Sequence, residues 1–114
     1  MGSRFLRRVA CAAVLLTGTA AAADVTGGQQ LFTLKCGPCH AAGGTGSLML
    51  ERRLGRERAL LAERTDLPPV YVSVIVRSGL RSMPALTRVE VTDAQLDAIT
   101  AYLVRPRLPA GATP

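Results

Sequence analysis

The sequence predicts an all-α fold of four to five short helices, and three observations carry that reading. Capping boxes open two segments, with Thr26 three residues ahead of Gln29 and Thr92 three ahead of Gln95. Apolar residues recur at helical spacing, most clearly as Leu96, Ile99, Tyr102 and Leu103. Proline and glycine punctuate the segments where helices start and stop, as at Pro68-Pro69 and Gly79. Only Val70 to Ser78 pulls the other way, because its β-branched residues favour strand. Val72, Ile75 and Val76 fall at helical spacing there, and the segment is read as helix.

The chain opens on a leader. Arg4, Arg7 and Arg8 precede an apolar run from Val9 to Thr19, and Ala21-Ala22-Ala23 supplies the small residues of a cleavage site. Residues 1–23 are therefore expected to be a signal peptide, with the mature chain starting near Asp24. The run is shorter than the ~20 residues of a spanning helix, so no membrane anchor is expected in the mature form. A buried N-terminal helix is the alternative, and the order of basic flank, apolar run and small exit argues against it. Cys11 lies at the start of the run rather than after it, which argues against a lipid-anchored cysteine. Export implies the periplasm of a bacterium or an equivalent compartment.

Without the leader, 11 Arg and Lys face 8 Asp and Glu, a balance of +3 where the full chain carries +6. Arg52, Arg53, Arg56 and Arg58 are interleaved with Glu51 and Glu57, as on a solvated helix face, and no nucleic acid is expected as a partner. One domain, 24–104, fits the length, with a flexible tail over 105–114. With Phe32, Tyr71 and Tyr102 as its aromatics and no Trp, its core is thin. Domains this small often need a cofactor or staple.

The first mature helix is expected from the Thr26 cap to about Leu34, with Gly28 tolerated for close packing. Ala41 to Ser47, rich in glycine, reads as a loop able to pass close to a flat cofactor. Leu48 to Arg64 reads as helix broken near Gly55, with Leu54, Leu60 and Leu61 inward. Thr92 caps the last helix, and Val91 and Leu96 are placed to form its hydrophobic staple.

Between the first and second helices stands Cys36-Gly37-Pro38-Cys39-His40. Two cysteines two residues apart, followed at once by histidine, are the attachment signature of a c-type haem. The thiols can bond the two vinyl-derived carbons of the porphyrin edge, and the imidazole then lies under the iron. One haem c per chain, covalently held by Cys36 and Cys39, is the expected cofactor. Cys-Gly-Pro-Cys also fits a thioredoxin-like dithiol, but Lys35 stands where that motif usually has Trp, and no βαβ setting is present. A structural zinc site needs further Cys or His ligands that the mature chain does not offer.

His40 is the only histidine of the chain, which excludes bis-histidine ligation. The sulfur candidates for the other axial position are Met49 and Met83. Met49, in Leu48-Met49-Leu50, reads as core filler at a helix entry. Met83 lies in a loop between Gly79 and Pro84 that can place its thioether over the iron.

A haem motif near the mature N-terminus, Met83-Pro84 in a downstream loop and a C-terminal amphipathic helix carrying Tyr102-Leu103 together resemble a small class I cytochrome c over residues 27–104. The resemblance implies the cytochrome c fold, His40 and Met83 as axial ligands, and Gly28 and Phe32 crossing the last helix around Ile99 and Tyr102. In such relatives a proline after the motif often supports the histidine; Gly43-Gly44-Thr45-Gly46 stands here instead, and no acceptor for the histidine ring N–H is assigned. The implied function is one-electron transfer, not catalysis. A soft thioether in a buried setting favours a relatively high potential. A peroxidase or ligand sensor would need an open distal side with polar groups, which Met83 closes.

Lys35, Arg77, Arg81 and Arg88 are the basic candidates for docking a redox partner, with ordinary solvent exposure as the alternative for each. Gly79 to Pro84, with Leu86-Thr87, loosely resembles the short cytochromes that accompany flavin dehydrogenases. The expectation is a carrier fed by a periplasmic dehydrogenase; a freely diffusing respiratory shuttle is the other reading.

Overall fold

A computed structural model describes residues 20–107. The expected leader therefore lies outside the described residues up to position 19, as does the tail beyond 107. Five helices follow in order: α1 (Ala20–Lys35), α2 (Gly37–His40), α3 (Thr45–Leu54), α4 (Pro69–Ser78) and α5 (Asp93–Val104). Two short 3-10 turns, Arg56–Arg58 and Leu61–Glu63, fill the connection between α3 and α4. Among the described residues there is no strand, only a single bridge between Leu80 and Met83. The all-α expectation holds, including helix over the ambiguous 70–78 segment. There Val72 and Val76 turn into the core, so tertiary burial outweighs β propensity.

The helix pair that closes the molecule is α1 on α5. An added Cβ on Gly28 would stand 2.0 Å from the Ala98 carbonyl oxygen and 2.9 Å from the Tyr102 Cβ. Only a residue without a side chain permits that approach. One turn on, the Phe32 and Tyr102 rings meet at 5.7 Å between centroids, tilted by 42°, within the range of favourable aromatic pairs. Around them lie Leu67, Val72, Val76, Val91, Leu96, Ile99 and Leu103. The expected crossing is the one observed.

The α5 N-terminus also follows the sequence. The Thr92 hydroxyl accepts from the Gln95 amide at 3.2 Å and the Gln95 side chain accepts from the Thr92 amide at 3.0 Å. Val91, just ahead of the cap, and Leu96, in the first full turn, are both buried in the core.

Five expectations need correction. The loop expected over Ala41 to Ser47 ends at Gly44, because that residue caps α3 and the helix begins at Thr45. α1 begins at Ala20, so Thr26 lies inside the helix instead of capping it; the alanines ahead of it are the strongest helix formers. Of the three leucines expected inward, Leu61 packs against the core and Leu60 is half-buried, but Leu54 is exposed. Gly55, at φ +92°, ends α3 immediately after Leu54 and turns the chain away. Met49 is exposed on α3 and is not core filler. The tail expected from Arg105 is bound at its start: Arg105 lies over the Tyr102 ring, 3.9 Å from its centroid, and Arg107 donates to the carbonyls of Arg64 and Leu103.

Candidate cofactor site

The motif occupies one helical turn. α1 stops at Lys35, the Cys36 amide still donates to the Phe32 carbonyl at 2.8 Å, and Pro38 sits in the first turn of α2, where its missing N–H is no loss. The His40 amide donates to the Cys36 carbonyl at 2.8 Å and the Cys39 amide to the same oxygen at 3.1 Å. Positions three and four apart share a helix face, so Cys36, Cys39 and His40 are presented together. Both thiols are free. Burial, and then the neighbouring Cys39, push the Cys36 thiol up to about 11. An activated redox thiolate needs the opposite shift, which counts against the dithiol reading. Among the described residues no group of three or more His, Cys, Asp and Glu could hold a metal ion.

His40 is half-buried, and burial lowers its pKa, keeping the imidazole neutral as an iron ligand must be. Its Nδ1 is buried with no hydrogen-bond partner among the described residues. The start of α3 lies against this ring. A Cβ on Gly46 would stand 2.9 Å from His40 Cε1, 3.1 Å from Nδ1 and 2.9 Å from the Cys39 carbonyl. A Cβ on Gly44 would stand 2.4 Å from that carbonyl. The Ser47 hydroxyl, itself buried, donates to the Ala41 carbonyl at 2.7 Å and ties the start of α3 to the end of α2. The glycines therefore admit backbone beside the histidine and the motif, where the sequence pointed to room for a flat cofactor. The contacts of Gly46 and Ser47 are not evident from the sequence, whose available signal is Gly-Thr-Gly-Ser soon after the motif.

Met83 is held in a short backbone clamp. The Leu80 amide donates to the Met83 carbonyl and the Met83 amide to the Leu80 carbonyl, each at 3.0 Å. Arg81 and Ser82 form the two-residue turn between them. Gly79, at φ +74°, precedes the clamp, and a Cβ there would meet the Met83 carbonyl at 2.7 Å. Downstream, the Leu86 amide donates to the Val76 carbonyl at 2.8 Å and returns the loop to α4. Met83 and Cys36, both partly buried, pack against the same core cluster.

Large apolar side chains on two helices lack a protein cover. Leu48, Met49 and Leu54 on α3 and Tyr71 and Val74 on α4 are between 40% and 51% exposed. With the one-turn thiol and imidazole set and the unpaired, glycine-lined His40 ring, these residues fit a covalently held haem.

The expected docking cations divide. Lys35 is exposed at the end of α1, near enough to Glu90 to help hold that carboxylate below its usual range, though the Thr87 amide and hydroxyl contribute more. Arg88 pairs with Asp93 at 2.8 Å while remaining largely exposed. Arg77 behaves differently. Its side chain is only 20% exposed, and it donates to the carbonyls of Leu86 and Thr87 and to Asp93 at 2.7 Å. It pins the segment after the Met83 loop to α4 and to the start of α5. Arg81 is exposed on the clamp turn itself.

The profile of the family described as cytochrome c oxidase, cbb3-type, subunit III matches residues 23–103. Cytochrome c6 of Cyanidioschyzon merolae is 34% identical over 83 residues, covering 73% of this chain and 75% of that protein. Cytochrome c6 of Thermosynechococcus vestitus is 31% identical over 107 residues, 91% of this chain and 92% of its own length. The cytochrome c subunit of 4-cresol dehydrogenase (hydroxylating) from Pseudomonas putida is 33% identical over 77 residues, 67% of this chain and 57% of that subunit. No solved structure gives a significant match.

Proposed function

This chain belongs to the monohaem class I cytochrome c family, as an electron carrier and not itself an enzyme, and on that premise we propose that it takes single electrons from a dehydrogenase in the periplasm. Cys36 and Cys39 would hold the haem covalently, and His40 and Met83 would be the residues that ligate its iron. When bound, that group supplies a one-electron couple at iron.

The observation that carries the ligand assignment is the half-buried His40 ring, whose Nδ1 has no partner among the described residues, together with the backbone clamp on Met83. Burial lowers the His40 pKa, which favours the neutral imidazole, and the backbone of Met83 is fixed by reciprocal hydrogen bonds with Leu80. A donor set held in place on both sides needs little rearrangement when an electron arrives or leaves. The chain's own work is to keep both donors still, exclude water and present an edge to a partner. Residues 1–23 serve as the export signal.

Two relatives support two versions of the traffic. The likeness to the cytochrome c subunit of 4-cresol dehydrogenase supports a dedicated dehydrogenase partner. The likeness to cytochromes c6 along nearly the full length supports a diffusing carrier. Among the described residues, no helix is long and apolar enough to cross a membrane, which suits either version. Expression in a periplasm with haem maturation, followed by affinity purification, separates them: a stoichiometric larger flavin subunit is the expected companion. A monomer reduced equally by unrelated donors would refute the dedicated pairing. Loss of the weak long-wavelength charge-transfer band of the oxidised protein in Met83→Ala is the expected result for the axial ligand. An unchanged band would remove Met83 from that role.

A further inference from the structure

Arg81 is the only non-glycine residue with positive φ among those described, at +57°. In an L-residue with a long side chain that conformation crowds Cβ against the following carbonyl, and glycine is the usual occupant. Arg81 is the first residue of the two-residue turn closed by Leu80 and Met83, whose amides and carbonyls bond each other at 3.0 Å in both directions. Turns of this length between paired residues demand positive φ, so the bridge that fixes Met83 is what forces Arg81 into strain. Gly79, two residues earlier, meets the same demand at φ +74° without strain, and its Cβ position is already filled by the Met83 carbonyl. The residue that leads into the clamp is thus unstrained, and the residue inside its turn is not. Strain of this kind is relieved when the bridge opens, and opening the bridge releases Met83.

We propose that Arg81 is a positioning residue whose strained backbone sets how readily Met83 leaves the iron. This rests on Met83 being the axial ligand. The side-chain charge of Arg81 has no part in it; the backbone conformation does.

The test uses the haem-loaded, oxidised protein titrated with imidazole, which binds iron only where Met83 has left. Arg81→Gly and Arg81→Asn, which tolerate positive φ, are expected to weaken imidazole binding, by about five- to thirtyfold where the left-handed cost is fully relieved. Arg81→Gln, which keeps the strain and removes the charge, is expected to bind imidazole as the parent does. Arg81→Val, β-branched and worse suited to the turn, is expected to bind it more tightly. Parent-like affinity in both Arg81→Gly and Arg81→Asn, or an equal change in Arg81→Gln, would overturn the proposal. Met83→Ala separates the two layers. If it leaves the charge-transfer band in place, the ligand assignment fails and the proposal with it. If it removes the band while Arg81→Gly stays parent-like, only the proposal fails.

Discussion

Replacing Gly28 with alanine sets two opposed effects against each other in one helix. In the interior of α1 the change should stabilise by about 1 kcal/mol, because glycine is the poorer helix former by that amount. Against this, the new Cβ would lie 2.0 Å from the Ala98 carbonyl oxygen and 2.7 Å from its carbon. Both are backbone atoms of α5, so no side chain can swing away. Restoring ordinary contact requires the helices to part by more than an ångström, and the shift opens the Phe32–Tyr102 stack and the core beneath it. Overpacking of this kind costs about 1–3 kcal/mol when neighbours can adjust. With backbone on both sides the upper end applies, leaving a net loss of about 2 kcal/mol after the propensity gain. Gly27 supplies the control: it sits in the same helix and a Cβ there meets nothing within 4 Å, so Gly27→Ala should stabilise by about 0.5–1 kcal/mol. Urea unfolding of the two haem-loaded variants, followed by far-ultraviolet circular dichroism, measures both. Equal midpoints for Gly28→Ala and Gly27→Ala would refute the close-packing account.

Gly46→Ala should destabilise by about 1–3 kcal/mol and shift the reduction potential, since its Cβ would press on the His40 ring; a parent-like potential would remove Gly46 from the histidine's support. Arg77→Met should lower stability by about 1–2 kcal/mol through its lost carbonyl bonds, and an unchanged urea midpoint would make Arg77 a surface cation after all. Neutralising the clamp cation by Arg81→Gln should slow reduction by the partner at low ionic strength, with the difference vanishing in high salt; equal rates at low salt would take Arg81 out of docking. Asp66 is held down to about 2 by the Arg64 guanidinium. Because its folded-state value lies below the ordinary 3.8, its contribution is present above about pH 4 and is lost as pH falls towards 2. The parent should therefore lose a few tenths of a kcal/mol relative to Asp66→Asn across that window, visible as a narrowing gap between their urea midpoints.

How much of the molecule is legible in the sequence depends on the range of the interaction concerned. The Thr92–Gln95 cap and the α5 stripe are local patterns, and local patterns carry their own reasons. Gly28 is legible because a glycine inside a helix asks for a packing explanation. The start of α1 is not, because the Thr26 capping box competes with a run of alanines, and propensity extends the helix past the cap. Periodicity marks one face of α3 as apolar but carries no information on whether protein covers it, so Leu54 and Met49 look inward in the sequence and stand exposed in the fold. Arg77 illustrates the same limit for charge. Its partner Asp93 lies 16 residues on, and a cation's exposure cannot be judged before its counter-ion is placed. The contact of Gly46 with the His40 ring likewise exists only once α3 has folded back on α2.

The crossing of α1 and α5 has a consequence for the order of events in making the protein. Gly28 and Ala98 stand 70 positions apart, so the contact that completes the core is among the most distant in the chain. Closing so long a loop carries an entropic cost before any packing is gained, and contacts of this range slow folding. Until α5 has been synthesised, Phe32 has no ring to stack on and α1 has no helix to cross. An exported chain therefore carries Cys36 and Cys39 on an unclosed scaffold, accessible to attachment chemistry, until α5 packs onto α1.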